Sequence, residues 1–283
     1  MIDLHCHTKA SDGSFDVHNL LQLARVYGIT HLAITDHDTT VAVEKAVEMG
    51  NYYGVTVIPG IEISAYDYKR KQRAHIIGYY VKKEHPALEK ICNPILNQRN
   101  ESARKAFEII TREGYKIEWN DVCEYSGFSN NIYKQHIMHA LMSSGHTKGI
   151  YSNLYKKLFS RGEDESPEGI AYFPIQYINV IEAVKAVREA GGVPVLAHPG
   201  EFDNYYLVSE LIDYGLEGIE VKHPAHNLLL ENKARDLALM HDLIMTGGSD
   251  FHGFYDRYPK KLGYYSPSID IIYKLKEKSS DIR

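Results

Sequence analysis

Cysteine is scarce in this chain and offers no structural framework. The 283 residues include three cysteines, Cys6, Cys92 and Cys123, at unrelated spacings. An odd number of cysteines at such spacings predicts neither a disulfide framework nor the Cys-x-x-Cys pair of a zinc site. We therefore expect a protein of the reducing cytoplasm.

Long apolar runs and a strong excess of one charge are also missing. The longest uncharged apolar stretches, such as residues 191–197, fall well short of the roughly 20 residues that span a bilayer. No basic and apolar leader precedes Ile2. With 32 basic and 37 acidic residues, the formal net charge is -5. We expect no membrane association, no stable protein partner and no extensive electrostatic binding to nucleic acid. The net charge does not exclude a small anionic substrate.

The remaining composition is that of a globular protein, with 44% hydrophobic and 24% charged residues. Short aliphatic runs alternate with segments of helical period, which predicts parallel strands joined by crossover helices. The predicted strands cover residues 2–7, 31–36, 55–63, 74–81, 193–197, 218–221 and 243–246. The predicted helices cover residues 17–27, 40–53, 178–190, 207–214 and 228–241. The fold class is therefore α/β, with a barrel-like domain.

The alternation stops between about residues 84 and 172, where the pattern becomes helical. Residues 101–113 and 137–141 have helical character, and residues 161–169 form a polar return loop. We expect residues 84–172 to be a helical insertion that covers the active site of a barrel built from residues 1–83 and 173–283.

The charge of this insertion differs from that of the rest of the chain. Between Lys82 and Arg161 there are 13 basic and 8 acidic residues, which leaves 19 basic and 29 acidic residues elsewhere. A positive cap over an acidic barrel would attract a phosphorylated ligand. A solvated helical surface explains the same bias equally well.

Histidine is the unusual component, with 15 residues clustered beside carboxylates. Residue types that bind metals stand at or near the ends of nearly all predicted strands: His5, His7, Asp12, His37, Glu62, His75, His198, Glu220, His223, Asp250 and His252. In a parallel barrel, these ends converge on one rim. So many ionisable groups repel each other and lose hydration there unless cations neutralise them, which predicts a metal or catalytic site. Nitrogen and oxygen ligands without thiolate suit Mn²⁺, Fe²⁺ or Zn²⁺.

Seven motifs in this order give the sequence a family resemblance: DLHCHTKASDGSF, LAITDHDT, VIPGIEIS, HIIGYYV, VLAHPGEF, GIEVKHPAHN and GSDFHG. They resemble the PHP family, named for polymerase and histidinol phosphatase domains. Within it, the chain is similar to stand-alone nucleotide phosphoesterases that act as 3',5'-nucleoside bisphosphate phosphatases and 5'-to-3' RNA exonucleases. The resemblance implies a distorted (β/α)7 barrel, similar to a TIM barrel, with two to three divalent metals.

The resemblance also implies a set of metal ligands. His5, His7, Glu62 and Asp250 would hold one metal, and Glu62 would bridge to a second metal bound by His75 and His198. A third metal would be held by Asp12, His37 and His252, although other branches of the family have histidine at the position of Asp12.

The resemblance implies phosphate-binding groups in the insertion at Arg99, Lys134, His136 and Arg161. The tripeptide Lys134-Gln135-His136 departs from the more usual Arg-Pro-His, and an exposed helix charge explains Lys134 equally well. His223 and His226 follow the sixth predicted strand and are further candidates for contact with substrate.

The predicted reaction is hydrolysis of a phosphomonoester by a metal-bridging hydroxide. Glu62, Asp250 and His198 are the predicted catalytic residues, and either a third-site water or His198 protonates the leaving group. A 3',5'-nucleoside bisphosphate or the 5' end of a short RNA is the expected substrate. The alternatives are a histidinol-phosphate phosphatase or another small-molecule phosphatase, an amidohydrolase-like enzyme, and a non-catalytic metal-binding or nucleic-acid-binding module.

Overall fold

The computed structural model describes residues 1–162 and 167–282, with side chains through residue 280. Part of the polar loop predicted at residues 161–169 therefore lies outside the described residues. The strands of the described residues are β1 Ile2–Asp3, β2 His31–Ile34, β3 Thr56–Asp67, β4 Gln72–Tyr79, β5 Ile178–Asn179, β6 Val193–Leu196, β7 Gly218–Lys222 and β8 Ile244–Gly247. Seven of them pair in the order β1-β2-β3-β4-β6-β7-β8, and β5 pairs with the end of β3.

Contacts between the first and last strands of this path close the sheet into a barrel. The Leu4 N–H donates to Gly247 O at 3.3 Å, and Cys6 forms a parallel bridge with Phe251 just beyond β8. The barrel interior is filled by buried apolar side chains such as Leu4, Ile58 and Val195. The predicted barrel fold is thus confirmed.

The expectation that all strands run in parallel is wrong for β4. It pairs antiparallel with β3 and with β6. Only residues 68–71 separate β3 from β4, and Lys71 in this turn has a φ of 56°. A parallel neighbour needs a crossover of a dozen or more residues, so this short connection permits only a hairpin. The reversal places His75, in the first half of β4, at the same rim as the carboxyl ends of the parallel strands.

Helices cover the outside of the barrel: α1 Val17–Val26, α2 Val43–Tyr53, α7 Val180–Glu189, α8 Pro199–Phe202, α9 Leu207–Leu211, α10 Leu228–Met240 and α11 Asp270–Ile282. Helix α7 buries Val180, Ala183, Val184 and Val187, which share one face at helical spacing. It begins two residues later than predicted because Asn179 caps it by accepting the Ile181 N–H. Helix α11 was not among the predicted helices.

The segment between β4 and β5 holds the helices α3 Pro86–Arg112, α4 Trp119–Tyr125, α5 Lys134–Ser143 and α6 Asn153–Phe159. They share a separate apolar cluster that includes Ala106, Ile110 and Leu141. Helix α3 starts far before the predicted residue 101 and continues through Pro94. A proline removes one backbone donor, and the helix is continuous through this position. Among the described residues, no helix combines the length and apolar character needed to cross a bilayer.

Candidate active site

A single buried carboxylate, Glu62 on β3, lies at the centre of the barrel rim. Five imidazoles surround it, and each places one ring nitrogen 2.9–3.3 Å from a carboxylate oxygen: His5, His7, His37, His75 and His198. Glu62 Oε2 faces the rings of His5, His7 and His37, and Oε1 faces those of His75 and His198. Glu62 therefore offers one oxygen to each of two adjacent groups of donors.

Two further carboxylates extend this cluster. Asp250 Oδ1 lies 3.2 Å from His7 Nε2 and 3.5 Å from His5 Nε2. Asp12 Oδ1 lies 3.2 Å from His252 Nε2 and 3.9 Å from both His7 Nδ1 and His37 Nε2. The structure thus brings together all nine of the residues predicted as metal ligands.

The residues present fit bound cations. Several buried polar atoms here lack a hydrogen-bond partner within the described part of the chain, including His5 Nε2, His7 Nε2, Asp12 Oδ1 and His37 Nδ1. Unpaired buried polar groups are costly, and neighbouring nitrogen and oxygen atoms are suitable ligands for divalent metals. Five sets among the described residues have donor atoms within 4.8 Å of one another: His5, His7, Glu62 and Asp250; His7, Asp12, His37 and His252; His37, Glu62 and His75; His5, Glu220 and His223; and Glu201, His223 and Asp250.

Neighbouring groups shift the pKa values of the cluster. Burial favours a neutral Glu62, but His37 and His5 outweigh it and hold the pKa of Glu62 well below its usual value. Burial similarly opposes charge on His198, whereas Glu201 and Glu62 raise its pKa to about 9. A metal ion would take the place of such protons, because imidazole binds metal through an unprotonated nitrogen.

Glu220, on β7, binds two of these histidines on the side away from Glu62. The His5 Nδ1–H donates to Glu220 Oε1 at 3.1 Å, which leaves Nε2 directed at Glu62. The backbone N–H of His198 donates to the second oxygen of Glu220 at 2.9 Å. A carboxylate behind a metal-binding imidazole fixes its tautomer and ring orientation. The sequence placed Glu220 at the rim but did not indicate this role.

Asp36 and Asp38 flank His37 but bind other groups. Asp36 accepts hydrogen bonds from the backbone N–H and hydroxyl of Thr8, both at 2.7 Å. Asp38 accepts from Arg99 at 3.2 Å and from the Ser64 N–H at 2.8 Å. Among the described residues, neither carboxylate has a hydrogen bond to a histidine ring.

A cavity opens beside the cluster, and a group of basic side chains lines it. Its lining includes three residues of the cluster, Asp12, His37 and His75. It also includes four basic residues, Arg73, Arg99, Lys134 and Arg161. Arg73 lies on β4 and was missed by sequence reasoning, because a basic residue in a strand has no signature that marks it as a ligand-binding group.

Hydrogen bonds and aromatic rings hold two of these cations, Arg99 and Lys134. The Arg99 guanidinium donates to Asp38 and to Ser64 Oγ, and it lies 4.8 Å from the centre of the Tyr133 ring. Lys134 Nζ lies 4.3 Å from the centre of the Tyr172 ring. Burial, together with repulsion from Arg161, Arg73 and Arg99, lowers the pKa of Lys134 to about 7. Clustered cations with a partly desolvated lysine are suited to an anionic ligand.

The three remaining candidates for substrate binding have other surroundings. His136 is buried and accepts the Tyr133 N–H through Nδ1, outside the lining of the cavity in the described residues. His226 uses both nitrogens on the backbone, since Nδ1 donates to Val221 O and Nε2 accepts from the Gly200 N–H. His223 lies beside the histidines and carboxylates around Glu62, with Nε2 3.5 Å from Asp250 Oδ2.

Fold and site together define the class of protein: an α/β barrel whose rim carries metal-binding side chains. A model of the PHP domain matches residues 3–190, and the chain belongs to the PHP family. It is a metal-dependent hydrolase of phosphoric esters, as the resemblance in its motifs implied.

Three known proteins of this class are similar to the chain over most of its length. A phosphoribosyl 1,2-cyclic phosphate 1,2-diphosphodiesterase from Eggerthella lenta is 39% identical over 266 residues, covering 94% of this chain and 99% of the relative. A 3',5'-nucleoside bisphosphate phosphatase from Chromobacterium violaceum is 29% identical over 256 residues, with 89% of this chain and 87% of the relative covered. A solved structure from Bifidobacterium adolescentis, described as a metal-dependent phosphoesterase, has a TM-score of 0.86 at 27% identity and covers 98% of this chain and 96% of its own.

Proposed function

We propose that this enzyme hydrolyses a phosphate ester on a ribose that carries a second phosphate group, with phosphoribosyl 1,2-cyclic phosphate as the first candidate. The observation that carries the proposal is the shared cavity, whose wall contains both metal-binding residues and four basic side chains. The metal cluster would receive the ester that is cut, and the cations would bind the other phosphate.

The substrates named for the two curated relatives have a common chemical core. Each is a ribose with two phosphate-bearing positions, either a phosphoribosyl group with a cyclic phosphate or a nucleoside with 3' and 5' phosphates. The first is favoured because that relative is more similar and is covered nearly from end to end. The nucleoside bisphosphate, or the 5' end of a short RNA, is the second candidate, supported by the tyrosines of the cavity wall, which offer stacking surfaces for a base.

We propose the ligand assignment that the motifs imply. One ion is held by His5, His7, Glu62 and Asp250; Glu62 also serves a second ion with His75 and His198; and Asp12, His37 and His252 form a third site. When bound, such ions supply Lewis acidity and a hydroxide at neutral pH. The arrangement around Glu62 supports this proposal, since Oε2 faces His5 and His7 and Oε1 faces His75 and His198. His37 also lies 3.1 Å from Oε2, next to the first and third groups.

Side chains of the protein hold the protons in defined positions. His198 directs Nε2 to Glu62 and Nδ1 to Glu201, 3.5 Å away. Nε2 thus points into the cluster, and Nδ1 has no hydrogen-bond partner within the described residues. We assign His198 to a metal and protonation of the leaving group to water. Each hydrolysis adds one water across a P–O bond: the phosphorus gains the oxygen, and the sugar oxygen gains a proton. Opening a cyclic diester in this way leaves a monoester, and a second hydrolysis of that monoester releases inorganic phosphate.

We further propose that residues 84–172 act as the specificity cap. Arg99 on α3, Lys134 on α5 and Arg161 after α6 all come from this segment and line the cavity, whereas Arg73 comes from the barrel. Fixed cations placed around a phosphate position the substrate and stabilise charge on its oxygens. A substrate with a single phosphate would lack this anchor.

The test is a substrate panel with metal-reconstituted protein, with products identified by ³¹P NMR and mass spectrometry. The panel contains phosphoribosyl 1,2-cyclic phosphate, adenosine 3',5'-bisphosphate, 5'-phosphorylated short RNA, AMP and histidinol phosphate. We expect kcat/KM for the first to exceed that for AMP and histidinol phosphate by at least about 10-fold, in line with one lost charge-assisted contact. Equal or higher efficiency with histidinol phosphate would overturn the proposal. Preference for adenosine 3',5'-bisphosphate would select the second candidate instead.

A further inference from the structure

Lys260 is a cation placed directly against the metal-binding carboxylates. It lies in the segment after β8, and its side chain is only 18% exposed. Its Nζ is 3.1 Å from Asp250 Oδ2, 2.6 Å from the backbone oxygen of Asp250 and 3.1 Å from Asp256 Oδ1. The ammonium group thus donates two hydrogen bonds to Asp250 and forms an ion pair with Asp256.

Asp250 has an unusual backbone conformation that needs such support. Its φ is 48°, in the left-handed region that residues with a side chain rarely adopt. Its carbonyl oxygen accepts from Lys260 and also from His252 Nδ1 at 2.9 Å. Strained backbone persists where surrounding contacts over-determine it, commonly at functional sites. Lys260 supplies one of the two contacts that hold this carbonyl.

The two carboxylate oxygens of Asp250 face different partners. Oδ1 faces His7 Nε2 at 3.2 Å and His5 Nε2 at 3.5 Å. Oδ2 faces Lys260 at 3.1 Å and His223 Nε2 at 3.5 Å. His223 Nδ1 accepts the Ala225 N–H at 3.1 Å, and Nε2 of the same ring has no hydrogen-bond partner within the described part of the chain. Lys260 thus donates to Oδ2, whereas Oδ1 is the oxygen directed at His5 and His7.

We propose that Lys260 is a positioning residue of the metal centre, which holds Asp250 in its left-handed conformation and reserves Oδ1 for the metal. This inference rests on the metal role of Asp250 proposed above. Lys260 also contacts Asp256, whose other oxygen accepts the backbone N–H of His252 at 3.1 Å. The same lysine thus couples two ligand-bearing positions, 250 and 252, through the loop that follows them.

The experiment measures Mn²⁺ affinity of the full chain by competition with a chelator. Lys260→Met removes the charge and the donors at nearly constant volume, Lys260→Arg keeps a cation, and Lys261→Met is the matched control at an exposed neighbouring lysine. We expect Lys260→Met to weaken Mn²⁺ binding by about 10- to 100-fold, the usual effect of losing a group that supports a metal ligand. In Lys260→Arg, the decrease in log Kd-based affinity should be smaller by at least about a third than in Lys260→Met. The Mn²⁺ affinity of Lys261→Met should equal that of the wild type.

Tighter or unchanged Mn²⁺ binding by Lys260→Met would overturn the inference, because Lys260 would then compete with the ion for Asp250 or be indifferent to it. Circular dichroism melting of the metal-free protein shows whether the variant is folded. Lys260→Gln, which keeps amide donors, replaces Lys260→Met in the test if the latter does not fold, and the same loss of affinity is expected.

Asp250→Asn separates this inference from the proposed function. Wild-type Mn²⁺ affinity and stoichiometry in Asp250→Asn would reject Asp250 as a ligand, and with it the assignment made above. Weakened binding in Asp250→Asn together with wild-type binding in Lys260→Met would reject only the role of Lys260.

Discussion

Replacement of Lys134 by glutamine tests the role of the cationic cavity most directly. Burial and the arginines nearby lower the pKa of this lysine from an ordinary 10.5 to about 7. At about 1.4 kcal/mol for each pKa unit, keeping the ammonium charged in the free protein costs roughly 5 kcal/mol relative to water. A bound phosphate offsets this repulsion and gains a charge-assisted hydrogen bond of about 1.5–3 kcal/mol.

The expected loss depends on both substrate and pH. Below pH 7, Lys134→Gln should lower kcat/KM for a ribose with two phosphates by about 10- to 150-fold, the range that 1.5–3 kcal/mol corresponds to. An aryl monophosphate should change by less than about threefold, because it does not reach the second phosphate position. Since the wild-type lysine loses its proton as pH rises through about 7, its advantage over the variant should disappear toward pH 9.

The assay measures kcat/KM for wild type and variant from pH 6 to 9 at saturating metal. The ratio of the two values isolates Lys134, because the titration of metal-bound water contributes equally to both enzymes. Lys148→Gln, at an exposed lysine of the same segment, is the control and should keep a ratio near one. A ratio for Lys134→Gln that stays constant over this range, or equal losses with both substrates, would refute the assignment.

Three more predictions concern the metals, the second phosphate and the packing around the site. His7→Ala should lower metal-dependent phosphate release by at least about 100-fold while circular dichroism shows an intact fold; undiminished turnover would remove His7 from the metal site. Arg99→Ala should raise KM for a doubly phosphorylated substrate by about tenfold or more and leave an aryl phosphate nearly unaffected, whereas Arg104→Ala, which only removes stacking on a tryptophan, should not discriminate between them. Gly248→Ala should lower stability to urea by about 1–3 kcal/mol, because the added methyl would lie 2.4 Å from atoms of His5, while Gly149→Ala meets no atom within 4 Å and should be neutral. Equal urea midpoints for the two alanine variants would contradict this account.

The sequence predicted the barrel and its metal-binding rim because both depend on local order along the chain. Alternating aliphatic and amphipathic segments indicate strands and helices, and ligand types at the ends of those strands meet wherever the strands share a sheet. His5, Glu62 and Asp250 could therefore be assigned to one cluster although they are distant in the sequence. The basic character of the segment that provides Arg99 and Lys134 was also visible from the order of charges alone.

Other features were decided only by the tertiary structure. The direction of β4 depends on a four-residue turn, and its reversal brings Arg73 to the cavity. His226 was a candidate for substrate contact, but its two nitrogens are taken by backbone groups that the sequence does not place beside it. Lys260 carries no motif, and its role follows from meeting Asp250 and Asp256 in space. The type of a residue is written in the sequence, whereas its partners depend on how distant segments pack, and for a buried polar or charged group those partners determine what it does.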